Sequence, residues 1–343
     1  MTALRAIDLA PLKAIPLLTL MALAACDSAS KVDQTAPLVR PPQATKPLMD
    51  EQARIRKARA ERNRAANAAA AQTTVSAATM QQREFYARAE EALLARAHLR
   101  NDHIPQDAPI DAERLTRDFV AIALRDEYRR EGGNMVQQAS PAPLRRWQDP
   151  VRMQLDFGAS TDVGTRRVVK AEVSEYASRL SRVTRHPVSL VDSNGNFIVL
   201  MLNDTERRAI GPRLSELVPG IPAQDVALLR DLADGNYCTV FAYSRGDTPA
   251  YAKAVALVRS ELPPRLRSSC FHEELAQGMG LANDSPDARP SIFNDDEEFA
   301  LLTRHDELLL QILYDPRLHP GMTEGEATPI VRQIAEELLA TST

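Results

Sequence analysis

From Glu84 onward the spacing of apolar residues changes from segment to segment, and that order leaves few folds open to this chain. Phe85, Ala89, Leu93 and Ala97 recur at helical spacing, as do Leu115, Phe119, Ile122 and Ala123; each set is the apolar stripe of an amphipathic helix. In "DAERLTRDFVAIALRDEY", Asp111 stands where an N-cap carboxylate accepts from first-turn amides. After a Gly/Ser/Pro loop, Val151, Met153, Leu155 and Phe157 alternate with polar residues, the period of a half-buried strand. "RVVKAEVSEYASRLSRVT" predicts a helix. "PVSLV" and "FIVLML", separated by Asp192–Asn196 with its Asn-Gly pair, predict a hairpin. A helix over about 223–232, strands in "YCTVFAYS" and "AYAKAVALV", a helix carrying "CFHEELAQ" and a last firm helix in "TRHDELLLQILYD" complete the order. Strand, helix, several strands, helix, irregular segment and helix make an α+β fold with a mixed sheet.

The segments ahead of that body have another character. Arg5 and Lys13 precede an apolar run from Ala14 to Ala25, short for a membrane span and built like a secretory signal. It closes on Leu23-Ala24-Ala25-Cys26, which resembles the bacterial lipobox. The resemblance implies removal of residues 1–25 as a lipoprotein signal peptide and acylation of Cys26, with palmitate among the acyl groups. The membrane is then a partner through that anchor. The expected location is the periplasmic face of a bacterial membrane, and Asp27 favours the inner one. No other stretch is apolar enough to span a bilayer. Residues 26–80 read as a disordered or helical tether and stalk. Within them 27–48 are rich in Pro, Ser, Thr and Lys, and 50–72 favour helix by propensity yet carry almost no apolar stripe. Residues 81–110 hold the first amphipathic helix and a linker, 111–322 the main domain, and 323–343 a C-terminal helical tail.

Charge and thiols narrow the partners. Lys and Arg number 42 against 46 Asp and Glu, a formal net charge of −4 with no long basic face, so the attraction that drives phosphate-backbone binding is missing and nucleic acid is not an expected partner. An aromatic content of 5% offers little for base stacking or a sugar platform. Beyond Cys26 the only thiols are Cys238 and Cys270. In an oxidising compartment that even count predicts a disulfide, the alternative being two buried free thiols.

The segment "EELAQGMGLAND…PSIFNDD…LTRHDELLLQILYDP" resembles the metzincin pattern H-E-x-x-H-x-x-G-x-x-H with its Ser-Ile-Met turn and final Leu-Tyr helix. Arg146-Trp147 before a strand also resembles the opening of such domains. The resemblance implies a metzincin-like (zincin-like) domain with a signature helix. Glu273 then falls on the first ligand position, Glu274 on the catalytic glutamate, Gln277 on the second ligand, Gly280 on the bend glycine and Asn283 on the third ligand. Ser291, Ile292 and Phe293 fall on the turn, Phe293 in place of its methionine. The chain is more similar still to a family of uncharacterised bacterial lipoproteins and secreted proteins, over roughly Ala112 to Met322. They share the Glu-Glu-x-x-Gln, Gly-Leu-x-Asn-Asp, Ser-Ile-Phe-Asn-Asp and Leu-Tyr-Asp-Pro signatures.

The departures from the metzincin pattern decide the chemistry. All three histidines are replaced, and zinc is built from Cys, His and carboxylate ligands. Sliding the pattern by one to use His272 puts Ala276 on the next ligand. No cofactor and no zinc are therefore expected. Glu273 and Gln277 lie four apart and share a helix face, and a bend at Gly280 would return Asn283 or Asp284 toward it. Such an oxygen cluster suits a hard cation such as calcium better than zinc. A metal-free Glu273/Glu274 pair for acid–base work and a hydrogen-bonded network that only holds the helix to the turn are the other readings. Of the remaining histidines, His305 beside Asp306 reads as a surface residue, His186 as a turn residue and His319 as part of the tail. No Gly-x-Ser-x-Gly elbow or phosphate loop occurs. Two functions follow. One is a degenerate domain that binds an extended peptide or envelope protein along an edge strand, "NYCTVFAYS". The other is an active peptidase-like hydrolase with an atypical Glu/Gln/Asp centre, acting on peptides or peptidoglycan stems.

Overall fold

Six consecutive apolar residues, Phe197–Leu202, are all buried, which a strand achieves only when both faces of its sheet are covered. The computed structural model describes residues 76–341 apart from 132, 133, 247 and 295, together with helical residues scattered between 54 and 65. The expected signal peptide, Cys26, Asp27 and most of the tether lie outside the described residues. The chain divides into two units, residues 1–61 and 62–343, and every element named below belongs to the second. In chain order these are α1 (Ala77–Ala95), α2 (Ala112–Ala123), β1 (Arg125–Glu131), β2 (Asn134–Pro141), β3 (Arg146–Trp147), β4 (Val151–Phe157), α3 (Val163–Thr184), β5 (Val188–Val191), β6 (Phe197–Leu202), α4 (Asp204–Arg208), α5 (Gly211–Leu217), α6 (Ala223–Arg230), β7 (Cys238–Ser244), β8 (Ala250–Arg259), α7 (Pro264–Gln277), α8 (Arg304–Leu313) and α9 (Glu324–Ala340).

The fold is α+β around a six-stranded mixed sheet. β5, β4, β6 and β8 lie side by side and parallel, and β3 adds two parallel pairs to the start of β8. β7 runs antiparallel along the other side of β8. Alternation along the strands supplies two cores. Met153, Val199, Met201, Ala256 and Val258 join the larger one with apolar residues of α2, α3, α7, α8 and α9. Ile198, Leu200, Val255 and Leu257 face the other way and meet Leu214 of α5 and Leu229 of α6. A separate two-stranded sheet pairs β1 with β2. No helix among the described residues is long and apolar enough to cross a membrane.

Three expectations about elements are corrected. "PVSLV" and "FIVLML" do not pair as a hairpin. β5 and β6 flank β4 on opposite sides, both parallel to it, so residues 192–196 must cross a face of β4. The crossing is close: a Cβ on Gly195 would lie 2.5 Å from that of Gln154. Asn196 fastens it, accepting from the Arg152 amide at 2.6 Å and donating to the Pro150 carbonyl at 2.9 Å. The helix after Asp111 stops at Ala123, and the loop expected before Arg146 contains β1 and β2. In α1 the buried residue is Tyr86, whereas Phe85 is 46% exposed. The Tyr86 hydroxyl donates to the Asp234 carbonyl, and Glu90 accepts from the Leu266 amide at the start of α7. Helix α1 is thus fastened to the domain by polar contacts as well as by packing. The C-terminal helix α9 buries Ala327, Val331, Ile334 and Ala335 in the main core.

Cys238 and Cys270 are joined in a disulfide, with Cα atoms 5.9 Å apart. The bond ties the first residue of β7 to the middle of α7. It closes a loop with a sequence separation of 32, for which chain entropy gives a stabilisation of about 3–4 kcal/mol. Urea unfolding of Cys238→Ser/Cys270→Ser is expected to show a loss of that size. A midpoint unchanged from wild type would mean that the crosslink does not constrain the unfolded chain.

Candidate functional site

Helix α7 starts at Pro264, whose missing N–H is no loss in a first helical turn, and carries the residues singled out above. Its core face holds Leu266, Cys270, Phe271 and Leu275, and Glu274 is buried among them at 5% exposure. Glu273 and Gln277 lie on the half-buried side. Past the helix the Gln277 amide donates to Asp284 at 3.1 Å, so the bend does bring these two side chains together. It sends Asn283 elsewhere: that side chain donates to the Ala121 carbonyl at 2.8 Å, and its amide to Ile122 at 3.0 Å. Asn283 therefore ties the segment after the bend to the end of α2.

The bend is held from below by two aromatic side chains that the sequence pattern did not single out for this role. The Trp147 indole donates to the Gly278 carbonyl at 2.8 Å, and the Tyr314 hydroxyl to the Met279 carbonyl at 2.9 Å. Gly280 has φ +127°, and a Cβ there would strike the Arg145 carbonyl. The bend glycine is thus demanded by backbone conformation and by crowding together.

The turn at Ser291, Ile292 and Phe293 hangs on the first turn of α8. Asp306 accepts from the Ser291 hydroxyl at 2.6 Å, the Ile292 amide at 3.2 Å and the Thr303 amide at 2.8 Å. Thr303 caps α8 in a capping box with Asp306, so one carboxylate serves both cap and turn. Phe293 is fully buried in the same core as Leu275, Ala276 and Met279.

His272 is a core residue. Its ring stacks on Tyr176 at 4.1 Å, and Nδ1 accepts from the Leu302 amide at 2.9 Å. Burial, helped by the Arg179 charge, pushes its pKa down to about 3, so at neutral pH it is an uncharged acceptor. His305 corrects the surface expectation, since it is fully buried. Its Nε2 lies 3.0 Å from Asp118 of α2, and its Nδ1 3.7 Å from Asp306. Burial disfavours its charge, yet Asp118 and Asp306 outweigh that and raise its pKa. Among the described residues no group of three or more His, Cys, Asp and Glu is placed to hold a metal ion.

A family model described as a protein of unknown function, DUF2927, matches residues 112–333. The chain belongs to this family. A comparison with curated proteins finds no match. The DUF2927 match begins at the first residue of α2 and ends within α9. It therefore takes in the whole six-stranded sheet, the bend, the turn and both buried histidines, and it leaves α1 outside. What the DUF2927 domain assembles around α7 is a buried carboxylate, a Gln–Asp pair across a fixed bend, and an edge strand covalently joined to the helix.

Proposed function

We propose that this DUF2927 protein is a lipoprotein anchored through Cys26 on the periplasmic face of a bacterial membrane. In this reading its domain is a metzincin-like one that has lost zinc catalysis and holds an extended peptide or envelope-protein segment. The stretch between anchor and α1 acts as a stalk that lifts the domain off the membrane. The observation that carries the binding role is β7: among the described residues it pairs only with β8. Its other side offers a row of main-chain donors and acceptors to an incoming strand. The disulfide to α7 fixes that edge against the helix, so an added strand would meet a preorganised frame.

The hydrolase alternative draws on the Gln277–Asp284 pair and on buried Glu274. One set of experiments separates the two. Peptides selected on the purified domain are expected to slow amide exchange across residues 238–244, without being cut. Peptide binding that leaves β7 exchange unchanged would move the site elsewhere. About one zinc per chain, with hydrolysis lost in Glu274→Gln, would favour the enzyme, since removing a general acid–base costs about two to four orders of magnitude in rate. Labelling with a palmitate analogue is expected in the wild type and not in Cys26→Ser.

A further inference from the structure

Trp147 and Tyr314, which hold the bend through their polar ends, also form a wall of a separate cleft of about 670 Å³. The opposite wall is the C-terminal turn of α3, with Arg182, Val183 and the left-handed residue Arg185. Ile334 and Leu338 of α9 close one side. The cleft is thus amphiphilic. Val183, Ile334, Leu338 and the tilted pair of His186 and Tyr314 rings, 5.1 Å apart, give it one apolar side.

Its charge is one-sided. Arg146, Arg182 and Arg185 line it, and the single lining carboxylate, Asp315, is engaged by Arg317 at 2.9 Å. Arg146 is spent on structure, donating to the Leu313, Asp315 and Leu318 carbonyls at the end of α8. Arg182 and Arg185 have no carboxylate partner among the described residues. A second cleft of about 490 Å³ shows the contrast. There Arg100 and Arg289 are matched by Asp107 and Glu298, so the charges cancel.

We propose that the cleft beside Trp147 binds a small organic anion with an aromatic or aliphatic body. Arg182 and Arg185 hold the acid group, and the body lies against Tyr314, His186 and the aliphatic wall. A small organic acid needs a concave site with convergent polar groups for its head and an apolar side for its body, and this cleft offers both. The charge-assisted pairing sets the orientation of the ligand.

Trp147 is the only tryptophan in the chain, which gives a direct readout. The probe is 8-anilinonaphthalene-1-sulfonate, an aromatic body with one acid group. It is titrated into the full chain carrying Cys26→Ser, so that no acyl anchor competes for the dye. Energy transfer from Trp147 is expected to saturate at one dye per chain. Arg182→Gln/Arg185→Gly is expected to weaken binding at least tenfold. Glycine accepts the φ of +55° at position 185, so this variant keeps its melting temperature. The control pair Arg83→Gln/Arg167→Gln removes the same charge from exposed positions outside the cleft and is expected to leave binding unchanged. Equal affinity for the uncharged N-phenyl-1-naphthylamine, an equal loss in the control pair, or no saturable binding would each overturn the proposal.

Discussion

Replacing His305 by alanine is expected to lower the stability of the domain by about 3 kcal/mol, because it leaves the buried Asp118 carboxylate with only the largely exposed Arg117 guanidinium, 3.8 Å away, to balance it. The pair joins α2 to α8 with exposures of 0% and 1%, so bulk solvent does not reach Asp118 in the folded domain. The same histidine sets a pH dependence. Its folded pKa is raised above the ordinary 6.5. Its stabilisation is therefore complete below pH 6.5 and is lost as pH rises through the folded value. His272 has the opposite sign. With a folded pKa of about 3 against 6.5 unfolded, it withdraws roughly a few kcal/mol as pH falls from 6.5 toward 3. Stability from urea unfolding across pH should then fall on both sides of about pH 6.5. His305→Gln keeps a donor near Asp118 without the charge and should remove the alkaline limb alone. His272→Asn keeps an acceptor for Leu302 and should remove the acid limb alone. If both limbs survive both substitutions, other groups set the pH profile.

Neither histidine could be placed from its neighbours in sequence. His305 stands beside Asp306 in the first turn of a helix, a pattern that reads as solvent-facing. Asp118 lies 187 positions away, and only the packing of α2 on α8 turns His305 inward. The strands that were legible, β4, β6, β7 and β8, carry alternating or continuous apolar residues and answer to local period. "RDEYRRE" at β1 carries no such period, so it read as a continuation of the preceding helix. At Asn194-Gly195 the turn chemistry is real, since Asn194 takes φ +57°, but a turn signal does not name the partner strand. α3 returns the chain beside β4, and the loop then has to pass across it. The same limit applies around α7. The spacing of Gly280 and of Ser291 marked a bend and a turn. The groups that fasten them, Trp147, Tyr314 and Asp306, are distant in sequence from what they hold, apart from the readable Thr303–Asp306 cap.

Gly280→Ala tests how far that bend depends on one missing side chain. Two penalties coincide there. The φ of +127° is a region that residues with a Cβ rarely enter, at a cost of about 1–3 kcal/mol. The new methyl would also meet the Arg145 backbone carbonyl and the Leu313 side chain, 3.0 Å away. Overpacking of this kind costs about 1–3 kcal/mol more, and a backbone carbonyl gives way less readily than a flexible side chain. A loss of about 3 kcal/mol or more in urea unfolding is the expected result. Gly325 supplies the contrast. It lies in the first turn of α9 with nothing within 4 Å of a built Cβ, so Gly325→Ala should be tolerated, changing stability by no more than about 0.5 kcal/mol. The damage at position 280 should also be local before it is global. The Tyr314 and Trp147 hydrogen bonds hold the two carbonyls just before Gly280, and the Gln277–Asp284 bond spans it. Displacing the backbone by even a few tenths of an ångström strains all three. Amide exchange in Gly280→Ala should therefore quicken first across residues 278–284, with the sheet still protected. If Gly280→Ala is as stable as the wild type, the bend is a flexible joint, and the site around Glu274 and Gln277 is less preorganised than the edge-strand reading requires.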